Sequence, residues 1–362
     1  MTDDTGENLE YSINFFWKIM QTFNIFMMQL GFVFVESGTV RKQHVTSNLL
    51  KNICDTCIGA MCWFFFGFAF AYGKSKGGII GFSNFAGYHF HQDDLYVEWL
   101  NSFTFATTAA TIISGSIAER IRLKSYIFIT TTTELFVYPI IVHWVWSEKG
   151  WLKDLGYLDF AGCGPVHMIG GLTGLIVTYK LGPRYIKKNE KRFDNKKSQI
   201  QPFNIPFVIL GTFILFYSWY GFNAGSQSDI YSVAGKLKAG KVSKNTTISA
   251  VAGGLTAFVI QQIQWRLEHK KFPVYNDAAK QLTVQASSMG LLSGLISITA
   301  GCDGVQAWMA CIIGCIGSII YLTMSKVLIY LKIDDPLDAS TIHYFCGIWG
   351  LISTGLFYED FL

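Results

Sequence analysis

Two histidines occupy the same frame in distant parts of the chain. His167 follows Asp159 by eight positions, and His343 follows Asp335 by eight. Gly171 and Gly174 come four and seven residues after the first histidine; Gly347 and Gly350 come four and seven after the second, and Leu175-Ile176 recurs as Leu351-Ile352. An imidazole in an apolar helix is costly unless it is hydrogen-bonded or wet, so one such residue alone reads as a satisfied packing residue. Two at equivalent repeat positions read differently, because inverted repeats bring equivalent residues together near the bilayer midplane. Rings in contact satisfy each other with one shared proton, and their titrations couple. Such a pair can pass protons or present a donor and an acceptor to a small polar solute. The competing reading is two separate buried structural histidines.

The elements that must carry these residues are legible from hydropathy. With 51% apolar residues, 16% aromatic and a mean hydropathy of +0.32, the chain is not an ordinary soluble one. A membrane span needs about 20 apolar residues. Ten runs approach that standard, near residues 11–35, 49–72, 98–118, 125–147, 165–180, 203–225, 246–264, 282–300, 304–330 and 340–357. This predicts an all-α polytopic membrane protein: one transmembrane domain over 1–362, with halves 11–180 and 203–357 and a basic cytoplasmic linker, 181–202, where a duplication needs its joint. If the first run crosses inward, the odd loops hold 19 of the 29 Lys and Arg and the even loops eight, which places the N-terminus outside. The loop 236–244, with four lysines, weakens that bias without reversing it. Net charge, +4, says little about partners.

Glu36 and Asp55 flank the first connection, where a carboxylate usually faces a partner or a hydrated cavity; a structural pair or cap is favoured over a transport site. Glu119-Arg120 reads as a structural ion pair. His89-x-His91 with Asp93-Asp94 has metal-like spacing in a loop better read as solvated, and Cys54-x-x-Cys57 stands alone in an apolar run. The eight cysteines read as small hydrophobes rather than a disulfide frame. Asn245-Thr246-Thr247 fits a glycosylation sequon beside a spanning segment. No basic n-region of a signal peptide precedes the first run. No metal site, cofactor or nucleic-acid partner is expected.

The chemistry narrows with the surroundings. No further intramembrane carboxylate is expected near either histidine, and moving a bare charge along an apolar path costs several kcal/mol. His143-Trp144-Val145-Trp146 places rings at the outer mouth, where a ring quadrupole attracts a cation. Asp159 adds negative potential there, or caps backbone donors. Such a path suits a small weak acid–base pair, recruited as the cation and moved as the neutral base.

These residues resemble the ammonium transporter and methylammonium permease family, with a plant-type flavour. The motifs are Asp159-Phe160-Ala161-Gly162 through Val166-His167-Met168, Phe222-Asn223-Ala224-Gly225-Ser226, Gly115-Ser116-Ile117-Ala118-Glu119-Arg120, Ile298-Thr299-Ala300-Gly301-Cys302, and Asp334-Asp335-Pro336-Leu337 through His343. They run in the family's order from about residue 11 to 357. The resemblance implies the ammonium-transporter fold, an inverted repeat of five and five helices, and a transporter rather than an enzyme. It also implies an outer ammonium site of Trp146, Ser226 and Phe105 with Asp159 below it, a gate of Phe105 and Phe222, and pore histidines His167 and His343, with Trp219 and Thr299 nearby. It further implies a homotrimer in a lipid bilayer, the plasma membrane first and an intracellular one such as the mitochondrial inner membrane second.

Departures are expected to matter. The family's eleventh helix and tail have no counterpart before Leu362, Ser102 stands where many relatives have glutamine, Pro165 interrupts the run before the first histidine, and Tyr344-Phe345 adds bulk that would narrow the pore. They motivate a second reading, a transporter-derived structural subunit of a large hetero-oligomeric membrane complex. A sensor ranks last.

Overall fold

The computed structural model describes residues 4–91, 95–187, 190–194, 200, 202–268 and 277–359. Among these residues run ten long helices: α1 (Asp4–Thr39), α2 (residues 45–72), α3 (Tyr96–Ser116), α4 (residues 123–146), α5 (residues 163–181), α6 (Ile205–Ala224), α7 (Val233–Glu268), α8 (Asp277–Ile298), α9 (Ala307–Tyr330) and α10 (residues 341–357). Each answers to one of the ten apolar runs, so the chain is an all-α polytopic membrane protein. Four helices contain a π-helical stretch: Trp63–Gly67 in α2, Thr133–Val137 in α4, Cys163–Met168 opening α5 and Thr341–Phe345 opening α10.

Packing follows a repeat of five. α1 lies against α6 at the centre; α2 packs on α3 and α4 as α7 packs on α8 and α9; α3 packs on α5 as α8 packs on α10. Among the described residues six helices are long and apolar enough to cross a membrane by length and composition: α1, α2, α4, α6, α7 and α9. The other four, α3, α5, α8 and α10, are two pairs related by the same repeat. They are more polar or shorter because they sit inside the bundle and present hydroxyls, glycines and histidines to one another. α3 is buried continuously from Ser102 to Ser116.

Two sequence expectations are corrected. The lysines of 236–244 do not form a loop: α7 starts at Val233, and its exposed end is held by Lys238 paired with Asp303 at 2.8 Å and by Lys241 paired with Glu359. Glu119 and Arg120 do not pair with each other. Glu119 sits in a left-handed turn (φ 70°), which sends the neighbours to different partners. Glu119 takes Arg41, with Nε donating at 2.7 Å, and Arg184 at 3.4 Å; Arg120 lies 3.7 Å from Asp334. Asp334 also accepts from Arg184 Nη2 at 2.9 Å and from Arg192. Burial alone raises the Asp334 carboxyl, but the hydrogen bonds and charges of Arg184 and Arg192 hold it well below the usual range. Glu36 and Asp55 are both buried; Glu36 faces Lys51 and accepts from Asn48 and Asn52, and Asp55 contacts Thr111.

The connections are short-stranded. β1 (Ser75–Lys76) pairs with β2 (Ile80–Gly81), and β3 (Tyr185–Lys187) with β4 (Glu190–Lys191), at the start of the basic connection. Residues 188, 189, 195–199 and 201 of that connection, and Asp93 and Asp94 of the metal-like cluster, lie outside the described residues. Among the described residues no three of His, Cys, Asp or Glu are grouped to hold a metal ion. Asn245 is buried, its amide donating to the carbonyls of Cys302 and Val305, so the sequon asparagine is packed inside the protein.

Candidate functional site

Both histidines sit in the π-helical first turns of α5 and α10. Such turns carry one extra residue, interrupt the regular backbone ladder and occur often at functional sites. Pro165 fits here because the first helical turn needs no donor from its nitrogen. His167 Nδ1 lies 3.1 Å from His343 Nδ1, and the ring centroids are 5.2 Å apart. One nitrogen donates and the other accepts, so a single proton satisfies the pair. His167 is fully buried, and its Nε2 has no protein partner. Trp219 stacks on His167 at 5.2 Å, fixed by its indole N–H donating to Thr299 Oγ1 at 3.0 Å.

Next to the histidines, towards the end of α4, stand the two phenylalanines that the resemblance implies as a gate. Phe105 and Phe222 have centroids 4.4 Å apart, and Phe222 lies 5.4 Å from His167. Trp146 meets Phe105 edge-on at 5.8 Å, while its indole N–H donates to the Asp159 carbonyl at 2.9 Å. Ser226 is one turn beyond Phe222 and donates to its carbonyl at 2.9 Å. Trp146, Phe105, Phe222, His167 and His343 therefore form one continuous column of rings, with Ser226 one helical turn beyond Phe222.

Asp159 stands beside this column. Its Oδ1 accepts from the amides of Gly162 and Cys163 at 2.8 and 2.9 Å, and its Oδ2 from that of Gly164 at 2.7 Å. Of the two roles the sequence left open, the contacts supply the cap: the carboxylate gathers the free amides of the turn that opens α5. Asp335 repeats this before α10, with Oδ2 accepting from the Ser340 amide at 2.7 Å and Oδ1 from that of Leu337 at 3.3 Å.

On the far side of His343 lies a cavity of about 20 Å³, walled by Phe32, Val35, Ile112, Leu215 and Ile342. That is room for one water-sized molecule. Tyr344 and Phe345 do not line it; both are half-buried and pack against each other at 5.0 Å, so the expected bulk points elsewhere. The connection before α10 divides this cavity from a wider opening of about 600 Å³ on the basic face, with Leu337 and Ala339 on one side and Asp335 and Asp338 on the other. One residue was missed. Glu36 forms part of the small cavity's wall beside His343, so a further carboxylate does stand near the histidine pair. Only the register between α1 and α10 reveals it.

The chain matches the model described as Ammonium Transporter Family over residues 16–361. It is 36% identical to Ammonium transporter 3 of Dictyostelium discoideum, across 98% of this chain and 79% of that one. It is 35% identical to Ammonium transporter Amt2 of Archaeoglobus fulgidus, across 97% and 73%. Among solved structures, a Sensor Amt Protein superposes with a TM-score of 0.87 at 34% identity, covering 98% of this chain and 85% of that one. Mep2 of Candida albicans superposes at 0.81 with 28% identity, covering 96% and 73%.

Proposed function

The chain belongs to the ammonium transporter family, and we propose that it carries ammonium across its membrane by recruiting the cation and passing ammonia. Ammonium is held by the rings of Trp146 and Phe105 and by the Ser226 hydroxyl. It loses its proton near Asp159, whose negative charge favours the cation outside the gate while its oxygens hold the turn. Ammonia then passes Phe105 and Phe222 and crosses along His167 and His343 to the opening on the basic face. The reading also takes the chain as one transmembrane unit of two halves, 11–180 and 203–357, assembling as a homotrimer in the plasma membrane.

The observation that supports it best is the 3.1 Å contact between His167 and His343 next to the closed aromatic pair. A charged solute would lose its hydration there against an apolar wall, at a cost of several kcal/mol. A neutral one that both donates and accepts can replace water against His167 Nε2. The relatives carry transporter names, and no finding points to a structural subunit of a larger assembly. One structural neighbour is named a sensor, so the test must separate conduction from sensing. Methylammonium uptake by a cell lacking its own ammonium transporters does so. Uptake is expected, with loss in the His167→Ala, His343→Ala double variant; full uptake by that variant would overturn the assigned path.

A further inference from the structure

We propose that Glu36, Asp55 and Glu134 form a proton-binding branch that opens into the pore below His343. The branch lies in the first half of the fold, away from the aromatic mouth. α2 presents Lys51, Asp55 and Gly59 on one face, four residues apart, and antiparallel α3 presents Ser114, Thr111 and Thr107. Glu36 enters from α1 and Glu134 from α4. All three carboxylates are at least 99% buried.

Charge and proton counting identify the ligand. Glu36 has donors on one oxygen and a cation nearby: its Oε2 accepts from Asn48 at 2.6 Å, Asn52 at 2.9 Å and Ser114 at 3.1 Å, its Oε1 has no partner, and it faces the Lys51 ammonium, which donates to Ser114 at 3.2 Å. That leaves Asp55 sharing Lys51 with Glu36 and Glu134 with no cation beside it, and the Asp55 and Glu134 carboxylates are close enough to repel each other. Glu134 has no donor on either oxygen; Oε1 lies 3.0 Å from where a Cβ on Gly59 would stand, with Thr107 Oγ1, also unpartnered, 3.6 Å from that point. A carboxylate left so in a spanning helix is prohibitively costly unless it gains a proton.

Asp55 leads to the same ligand by a separate route. Thr111 Oγ1 is 2.8 Å from Asp55 Oδ2, from the Thr107 carbonyl and from the Gln29 side chain. Thr111 has one hydroxyl proton. Gln29 can turn its amide N–H towards Thr111, but the carbonyl can only accept, so every contact is satisfied only when Asp55 brings a proton.

The branch meets the pore at Glu36 and at Thr111, the hydroxyl in contact with Asp55, since both line the cavity beside His343. A proton reaching that cavity can be taken by Thr111 as its hydroxyl hands another to Asp55, with no net change at Thr111. The other titratable groups around the column are Tyr126 and Tyr138 on α4 and Cys62 and Tyr72 on α2; His44, Glu119 and Arg120 lie beyond Lys51. α3 contributes only hydroxyls within the column.

The proposal rests on the transport reading for its use, but its first test does not need transport. Infrared difference spectra of the reconstituted full chain between mildly acidic and alkaline pH are expected to show a buried carboxylic-acid carbonyl band. Glu134→Gln and Asp55→Asn should each remove part of it, and the His167→Ala, His343→Ala variant should keep it. Glu134→Asp, which retains an acid, should shift the band rather than delete it if Glu134→Gln does not fold. No such band in the native chain, or one unchanged in the branch variants, overturns the proposal. Methylammonium uptake recorded with charge movement then tests the coupling. Glu134→Gln is expected to lower the charge carried per substrate while uptake persists; an unchanged ratio removes the branch from transport. Absent uptake in the native chain would count against the transport reading and leave the infrared result standing.

Discussion

Gly171 packs so tightly on Tyr344 that a Cβ there would lie 2.4 Å from the Tyr344 backbone nitrogen. The repeat-related contact is made by Gly347, whose Cβ would stand 2.8 Å from Met168 Cγ. Each glycine thus lies against the residue that follows the other half's histidine. This pair of close approaches sets the distance between α5 and α10 and with it the contact between the rings. The glycines four residues after each histidine are required by that approach, not by backbone conformation.

Gly171→Ala should therefore act on the pair as well as on stability. Its methyl group meets backbone, which cannot rotate away, and overpacking of this kind costs about 1–3 kcal/mol. Gly347→Ala meets Met168 Cγ, in a side chain that can turn, with the nearest backbone atom, the Cys163 carbonyl oxygen, at 3.2 Å, and should cost less. Thermal unfolding in detergent ranks the two, and methylammonium uptake should fall further in Gly171→Ala. Equal effects would show that the halves are not clamped at these points.

Asp159 offers a test of cap against field. Asp159→Ala leaves three amides of the α5 turn without their acceptor, each worth about 1 kcal/mol. Asp159→Asn keeps one carbonyl oxygen for the Gly162 and Cys163 amides and removes the charge. If the carboxylate mainly holds the turn, Asn should retain most of the stability that Ala loses. If the field at the mouth matters too, uptake should drop strongly in both variants while only Ala unfolds early. Matching melting temperatures for Asn, Ala and the native chain would refute the cap.

Trp219 has one polar tether. Its indole N–H reaches Thr299 Oγ1, and its ring covers His167. Thr299→Val keeps the volume and removes the acceptor, which should cost about 1 kcal/mol and let the indole leave the imidazole. The expected readout is reduced uptake with little change in folded yield. Trp219→Phe, which needs no tether, should be insensitive to the second substitution; an additive loss in the double variant would separate the two residues.

Much of this site was readable because its signals are local. The eight-residue step from aspartate to histidine and the glycines after it survive as spacing, and the ten helices survive as hydropathy. What was not readable depends on register between helices. Glu36 reads from the sequence as a structural pair or cap, yet α1 also turns it to His343's cavity. Glu119 and Arg120 are neighbours in sequence, but a left-handed turn gives them different partners. The lysines from Lys236 to Lys244 looked like a solvated loop because hydropathy ignores carboxylates supplied by other elements, here Asp303 and Glu359.

Asp338 carries the pH dependence most open to measurement. It lies in the connection before α10 with a left-handed backbone (φ 53°) and accepts from Ser325 Oγ at 2.8 Å. Burial, then the neighbouring Asp335, push its carboxyl up from 3.8 to about 7, against the pull of Ser325 and of Arg192 and Arg184. An acid raised on folding binds its proton more tightly in the folded chain than in the unfolded one. Its contribution is therefore constant below the unfolded value of 3.8, falls as pH rises between 3.8 and about 7, and levels off above. Asp338→Asn removes the titrating proton while keeping an acceptor for Ser325. The variant should flatten stability against pH across that window and melt at a higher temperature than the native chain on its alkaline side. Unfolding curves in detergent at a series of pH values decide it: a native profile with no slope in the window, or the same slope in Asp338→Asn, would show that this carboxyl does not titrate there.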